Sequence, residues 1–184
     1  DRSNCHIWIG AKNENGREWI NEVLSQANED GFYYQPRLDE ELLDLLPAGD
    51  VWITTACVAG WKYLGEEEER LKALWKKLYD KHGDNFMFEV QYHPSERQKE
   101  LNRYILNLRK EIPAPIIMGC DSHYIDEKGA ELRSDFLLSK EDRKAYDDEE
   151  EWFMDYPDGE TAVQRFRDQG VLNEAEIEEA INRT

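Results

Sequence analysis

Pro115-Ile-Ile-Met-Gly-Cys-Asp-Ser-His-Tyr124 is the stretch that decides the fold. An apolar run of this length, set between helical patterns, reads as a buried strand of a parallel sheet. It ends in two residues able to ligate metal, Asp121 and His123. In a strand, side chains at i and i+2 share a face, so these two project together with Gly119 and Ile117 behind them. Open α/β sheets and α/β barrels carry their chemistry at the carboxyl ends of such strands. Taken alone, the three residues read more simply as a strand leaving the core through a polar turn. Two further strands that end in similar side chains shift that balance.

Working outward, His6 to Ala11 reads as a first strand. Asn13 can cap a helix running to about Asn28, with Trp19, Ile20, Val23, Leu24 and Ala27 on its apolar face and Gly31 just past its end. An aromatic loop follows, Phe32 to Pro36, then a short helix from Asp39 to Leu46 stopped by Pro47. Val51 to Cys57 is a second strand. Gly65 precedes four glutamates, a favourable charge at a helix N-terminus. That helix turns Leu71, Leu74, Trp75 and Leu78 inward and stops at Gly83. Phe86 to His93 is a third strand, and Ser95 with Gln98 predicts a capping box for a helix burying Leu101, Tyr104, Ile105 and Leu108. This alternation of strand and helix predicts parallel neighbouring strands with helices packed outside, in a sheet or barrel. After His123 the rhythm breaks. A helix around Ala130 to Leu138 leads into the acidic stretch Asp147 to Glu151, then Trp152-Phe153-Met154 as a short edge strand, and two short helices, Gly159 to Asp168 and Asn173 to Asn182. No repeat and no long linker divides the chain, so residues 1–184 read as one domain.

The 184 residues suffice for one sizeable core. The chain begins with Asp1 rather than Met, which we read as a processed, excised or fragmentary chain. No signal peptide and no membrane-spanning run is seen. A formal charge of −18 repels phosphate backbones, which excludes non-specific DNA binding by this segment itself. The three cysteines, Cys5, Cys57 and Cys120, fit a reducing, cytoplasmic setting better than a disulfide framework.

Parallel strands would bring Cys57, His93, Asp121 and His123 around one mouth. One thiol, one carboxylate and two imidazoles suit zinc, or manganese and iron where carboxylate dominates. His6 starts its strand, which in a strictly parallel sheet is the far pole, and it joins the cluster only if the preceding loop folds over. Cys5 and Cys120 read as small buried hydrophobes. His82, before Gly83, reads as a charge partner of its helix C-terminus, and Glu89 as a supporting or solvent-facing group.

The residues then resemble a family. His6 to Gly16 looks like a strand and turn of the PHP domain (polymerase and histidinol phosphatase) of bacterial, or phage-encoded, DNA polymerase III alpha subunits. Gly31 to Arg37, Thr55 to Gly60, Phe88 to His93 and Cys120 to Tyr124 match in order, and the tail from Trp152 through Phe166 to Thr184 resembles the end of the same domain. The likeness covers nearly the whole chain, and its specificity lies in the motifs falling in register. It implies an α/β fold: a distorted (β/α)7 barrel, partial at its N-terminal side, with short C-terminal helices. It implies His6, Cys57, His93, Asp121 and His123 as ligands of two or three ions in the complete domain, with Asp121 and His123 also catalytic. The family's site begins with a His-x-His motif, a further His and a Glu that this chain lacks, so the chain resembles the C-terminal two thirds of the domain and is expected to hold at most one zinc, manganese or iron ion tightly.

Three functions follow. One is a metal-dependent phosphoesterase removing nucleotides from a DNA 3′ end. Another is an inactive structural domain that buttresses a replicative polymerase, its partners being the rest of that chain and the replisome, with DNA reached through other domains. The third is a free-standing phosphatase of the histidinol-phosphate type, against which the polymerase-like tail argues.

Overall fold

The computed structural model describes residues 5–32, 34–61, 67–139 and 151–184. Tyr33, Gly65, Glu66 and the stretch 147–150 lie outside the described residues. The elements are β1 (Trp8–Ala11), α1 (Glu14–Glu29), α2 (Glu40–Leu43), β2 (Val51–Thr54), α3 (Glu68–His82), β3 (Phe86–Val90), α4 (Glu96–Leu108), β4 (Ile116–Met118), α5 (Glu127–Ser139), α6 (Gly159–Gln169) and α7 (Glu174–Asn182). The strands form one sheet in the order β1-β2-β3-β4. The chain is organised as two compact units, residues 1–88 with 111–115 and residues 89–110 with 116–184.

One expected pairing is corrected. β2 and β3 are parallel, with Ile53 opposite Phe86. Phe88 N donates to Pro115 O and Gly119 N to Val90 O, so partners advance together along β3 and β4 and this pair is parallel too. β1, however, runs antiparallel to β2, pairing Trp8 with Thr54 and Ala11 with Val51. The reason lies at the start of α1. Asn13 caps that helix by accepting from Gly16 N, and both Asn13 and Asn15 donate to the Asp50 carboxylate at 2.7 Å. Lys12 N donates to Asp50 O. The chain therefore re-enters the sheet beside the end of β1 and runs back along it. Gly16 is required here, because a Cβ would sit 2.0 Å from the Asp50 carbonyl oxygen.

In the first unit Val23 and Ala27 of α1 are buried, while Trp19 and Leu24, expected on the same face, flank that stripe and are exposed. Leu71, Trp75 and Leu78 of α3 are buried as expected. Trp75 stacks on Phe86 at 5.9 Å, and Trp61 meets both Trp75 and Phe88, so aromatic area dominates this core.

In the second unit α4 buries Leu101, Ile105 and Leu108. Ser95 Oγ accepts from Gln98 N, yet the Gln98 side chain turns to Asn102 instead of back to the cap, so only half of the expected capping box forms. A complete one opens α7, between Asn173 and Glu176. Arg109 holds Glu179 of α7 at 2.9 Å, and Glu179 accepts from Ile116 N at 3.1 Å. Trp152 to Met154 is not a strand, although Trp152 and Met154 point inward and Phe153 outward as the alternation implied.

Candidate metal centre

β2, β3 and β4 stop earlier than the sequence suggests, β1 ends at Ala11 as expected, and left-handed backbone follows β2 and β4. β2 ends at Thr54, and Ala56 takes φ 55° in the left-handed region. β4 ends at Met118, and Asp121 takes φ 50°. Left-handed backbone in a non-glycine residue is costly and tends to gather at functional positions. The i, i+2 argument for the Asp121–His123 pair therefore does not apply, since neither residue lies in a strand.

In the first unit the antiparallel β1 brings His6 to the carboxyl end of β2. His6 Nδ1 lies 4.0 Å from Cys57 Sγ. The backbone fixes the approach: His6 N donates to Ala59 O at 3.3 Å and Gly60 N to Cys57 O at 2.8 Å. Gly60 leaves room for it, because a Cβ would fall 1.9 Å from Thr55 O and 2.8 Å from His6 O. His6 is exposed and Cys57 half-buried. Two ligands of one tetrahedral zinc, with Zn–S of about 2.3 Å and Zn–N of about 2.0 Å, stand about 3.6 Å apart, so this pair fits a shared ion with a small adjustment.

In the second unit the two histidines differ in chemistry. His123 is exposed, and its Nδ1 lies 2.7 Å from the Asp121 carbonyl oxygen. A carbonyl only accepts, so Nδ1 carries the hydrogen and Nε2 keeps its lone pair, the arrangement typical of a metal-ligating imidazole. His93 is fully buried and stacks on Trp152 at 5.4 Å and 16°. Its Nδ1 accepts from Phe153 N at 3.2 Å. The lone pair at Nδ1 is thereby used by the protein, and in the neutral ring Nε2 carries the hydrogen. The Nε2 lone pair of His123 is thus left open, whereas the Nδ1 lone pair of His93 is already taken by the protein.

The neighbourhood of His93 is built by residues the sequence reading passed over. Gln169 Nε2 donates to His93 O at 2.7 Å and to Gln91 O at 3.0 Å. Asn102 Nδ2 donates to Gln91 O and to Gln169 Oε1, each 2.8 Å. Tyr92 is buried between them and Phe166, and burial first, then the Cys120 thiol, raises its phenol above the ordinary value. No local pattern signals this network, because Asn102 lies outside the apolar stripe expected of α4. Among the described residues, no three His, Cys, Asp or Glu side chains gather as a metal-binding group. No described helix is long and apolar enough to cross a membrane.

No family model matches the chain. It is similar to the DNA polymerase III subunit alpha of Aquifex aeolicus, 31% identical over 129 residues, which cover 68% of this chain and 11% of that protein. The subunit alpha of Borreliella burgdorferi is 30% identical over 131 residues, again 68% of this chain and 11% of the relative. The PolC-type DNA polymerase III of Clostridium perfringens is 30% identical over 132 residues, 66% of this chain and 9% of the relative. The chain thus spans about a tenth of the length of the curated relatives it matches.

Proposed function

Starting from a chain related in sequence to one segment of DNA polymerase III alpha subunits, we propose that it is the PHP-like part of a replicative polymerase, contributing to a distorted (β/α)7 barrel. Its partners are then the rest of the polymerase chain and the replisome, in the cytoplasm. The charge of −18 supports DNA being held by other domains. The further reading is a metal-dependent phosphoesterase acting on a DNA 3′ end. The observation that supports it is the His6–Cys57 approach, with His6 Nδ1 4.0 Å from Cys57 Sγ. Asp121 and His123 are proposed separately as a ligand pair of the second unit, with zinc, manganese or iron as the ion and at most one held tightly. A bound metal lowers the pKa of a water and stabilises charge on the phosphorane. The chain's own part is to supply thiolate, carboxylate and oriented imidazole. A second reading, a structural domain buttressing the polymerase, is favoured by the burial of His93 in protein contacts.

Elemental analysis of the purified protein, together with degradation of a 3′-labelled primer, tests the choice. Metal that co-purifies, with primer shortening that is lost in Asp121→Ala, supports the phosphoesterase. A complete domain, with the upstream ligands, that is folded and loaded with zinc or manganese yet leaves the primer intact overturns it and leaves the buttress.

A further inference from the structure

We propose that His93 is not a metal ligand but a positioning residue for the Asp121–His123 turn, acting through the segment 152–155. The proposal rests on the metal-site reading only for its zinc measurements. The geometry forms a chain of contacts within the second unit. His93 Nδ1 takes the Phe153 N–H, and the His93 ring lies flat on Trp152. The next residue, Met154, presents its carbonyl oxygen to His123 N at 2.8 Å and to Tyr124 N at 3.3 Å. Asp155 O then accepts from Ser122 Oγ at 2.8 Å. The turn that holds Asp121 and His123 is therefore hung on the backbone of 154–155, and that backbone is fixed one residue earlier by the buried imidazole. His93 is itself held from behind by Gln169 Nε2 on its carbonyl. A ring whose Nδ1 lone pair receives a backbone N–H cannot offer a second lone pair from Nε2 while neutral. Nε2 ligation would demand loss of the Phe153 bond. The supporting groups around a metal ligand are worth about 10–100-fold in affinity, so a positioning role is as consequential as a ligand's.

The experiment uses histidine-labelled protein and long-range proton–nitrogen NMR, which reads the tautomer of each ring directly. The chain has four histidines, so the spectrum is assignable with one variant per residue. His93 is expected as the Nε2–H tautomer and His123 as Nδ1–H, and zinc ion alone is expected to move the His123 ring signals and leave those of His93 in place. Two variants separate the roles. In His93→Asn the amide oxygen takes the place of Nδ1 and can still accept from Phe153 N–H, whereas His93→Leu cannot. Hydrogen exchange at the His123 and Tyr124 amides should speed up at least about tenfold in His93→Leu and return towards wild type in His93→Asn. Zinc affinity, measured by competition with a chromophoric chelator, should fall about 10–100-fold in His93→Leu and recover most of that loss in His93→Asn. A His93 ring found as Nδ1–H, zinc-induced shifts on it, or a His93→Asn no better than His93→Leu would overturn the proposal. If zinc moves no histidine at all, the metal-site reading fails, and tautomer and amide exchange still decide the role of His93.

Discussion

The guanidinium of Arg165 forms two hydrogen bonds with the Asp155 carboxylate, both 2.8 Å, while it lies 4.2 Å from the centre of the Phe153 ring. One side chain of α6 thus grips the 152–155 segment by charge and by its flat face together. Forked pairs of this kind are among the stronger charged contacts, though partial exposure reduces the gain. The Arg165 guanidinium holds the Asp155 carboxyl below its ordinary value of 3.8. A depressed carboxylate pKa stabilises the fold above the unfolded value, and that stability is lost as pH falls through the folded value. Asp155→Asn should therefore cost about 1–2 kcal/mol at neutral pH and progressively less as pH falls below the ordinary carboxylate value, as read by urea denaturation across that range.

His82 gives the opposite construction, an imidazole whose burial outweighs the nearby Asp44 charge. It is 4% exposed, and neither ring nitrogen has a hydrogen-bond partner among the described residues. Burial first, then the Lys81 charge, pushes its pKa down to about 4. The unfolded chain binds the proton more readily, so stability falls as pH drops from about 6.5 towards 4, on the order of 2 kcal/mol. His82→Leu should flatten that window while leaving neutral-pH stability equal or higher. A denaturation midpoint that still fell over the same window in the variant would assign the effect to another group.

These two residues also mark how far sequence patterns reach. The helices were legible because caps and stripes are local: Asn13 and Ser95 each cap the helix expected of them. The apolar runs located all four strands, and the parallel order of β2 and β3 followed from their alternation with helices. The direction of β1 was not legible, because it depends on Asp50 meeting Asn13 and Asn15 across a long separation in the chain. For the same reason the His6–Cys57 approach looked improbable from sequence. His82 was read as a charge partner of its helix end, since a helix-terminal position says nothing of what packs over it. The candidate ligands were legible as residue types, whereas the tautomers that divide His93 from His123 are set by backbone partners no motif encodes.

The amide network behind β3 should behave as a unit. Asn102 is fully buried and bridges Gln91 O, Gln169 and Gln98. Asn102→Leu strands the donors and acceptors of both glutamines, which costs about 2–3 kcal/mol, and Gln169→Leu should cost a similar amount by releasing the carbonyls of Gln91 and His93. The double variant should be less destabilised than the sum by about 1 kcal/mol, because each change already breaks the shared bond. Strict additivity in chemical denaturation would show the two amides to be independent.

The strained residues allow backbone and side-chain roles to be measured apart. Ala56 at φ 55° stores a left-handed cost of about 1–2 kcal/mol, which glycine escapes, less about 0.5–1 kcal/mol for glycine's greater freedom when unfolded. Ala56→Gly should thus stabilise the fold by about 0.5–1 kcal/mol and leave the His6–Cys57 approach intact. Asp121 at φ 50° is a residue type that tolerates this region better, so the relief in Asp121→Gly is smaller and its melting temperature should stay near that of wild type. What Asp121→Gly loses is the carboxylate. Zinc affinity should drop at least about tenfold in Asp121→Gly, as when a ligand or its orienting neighbour is removed, with no change in Ala56→Gly. An Asp121→Gly variant that bound zinc normally but melted several degrees lower would mean that the carboxylate holds the turn rather than a metal.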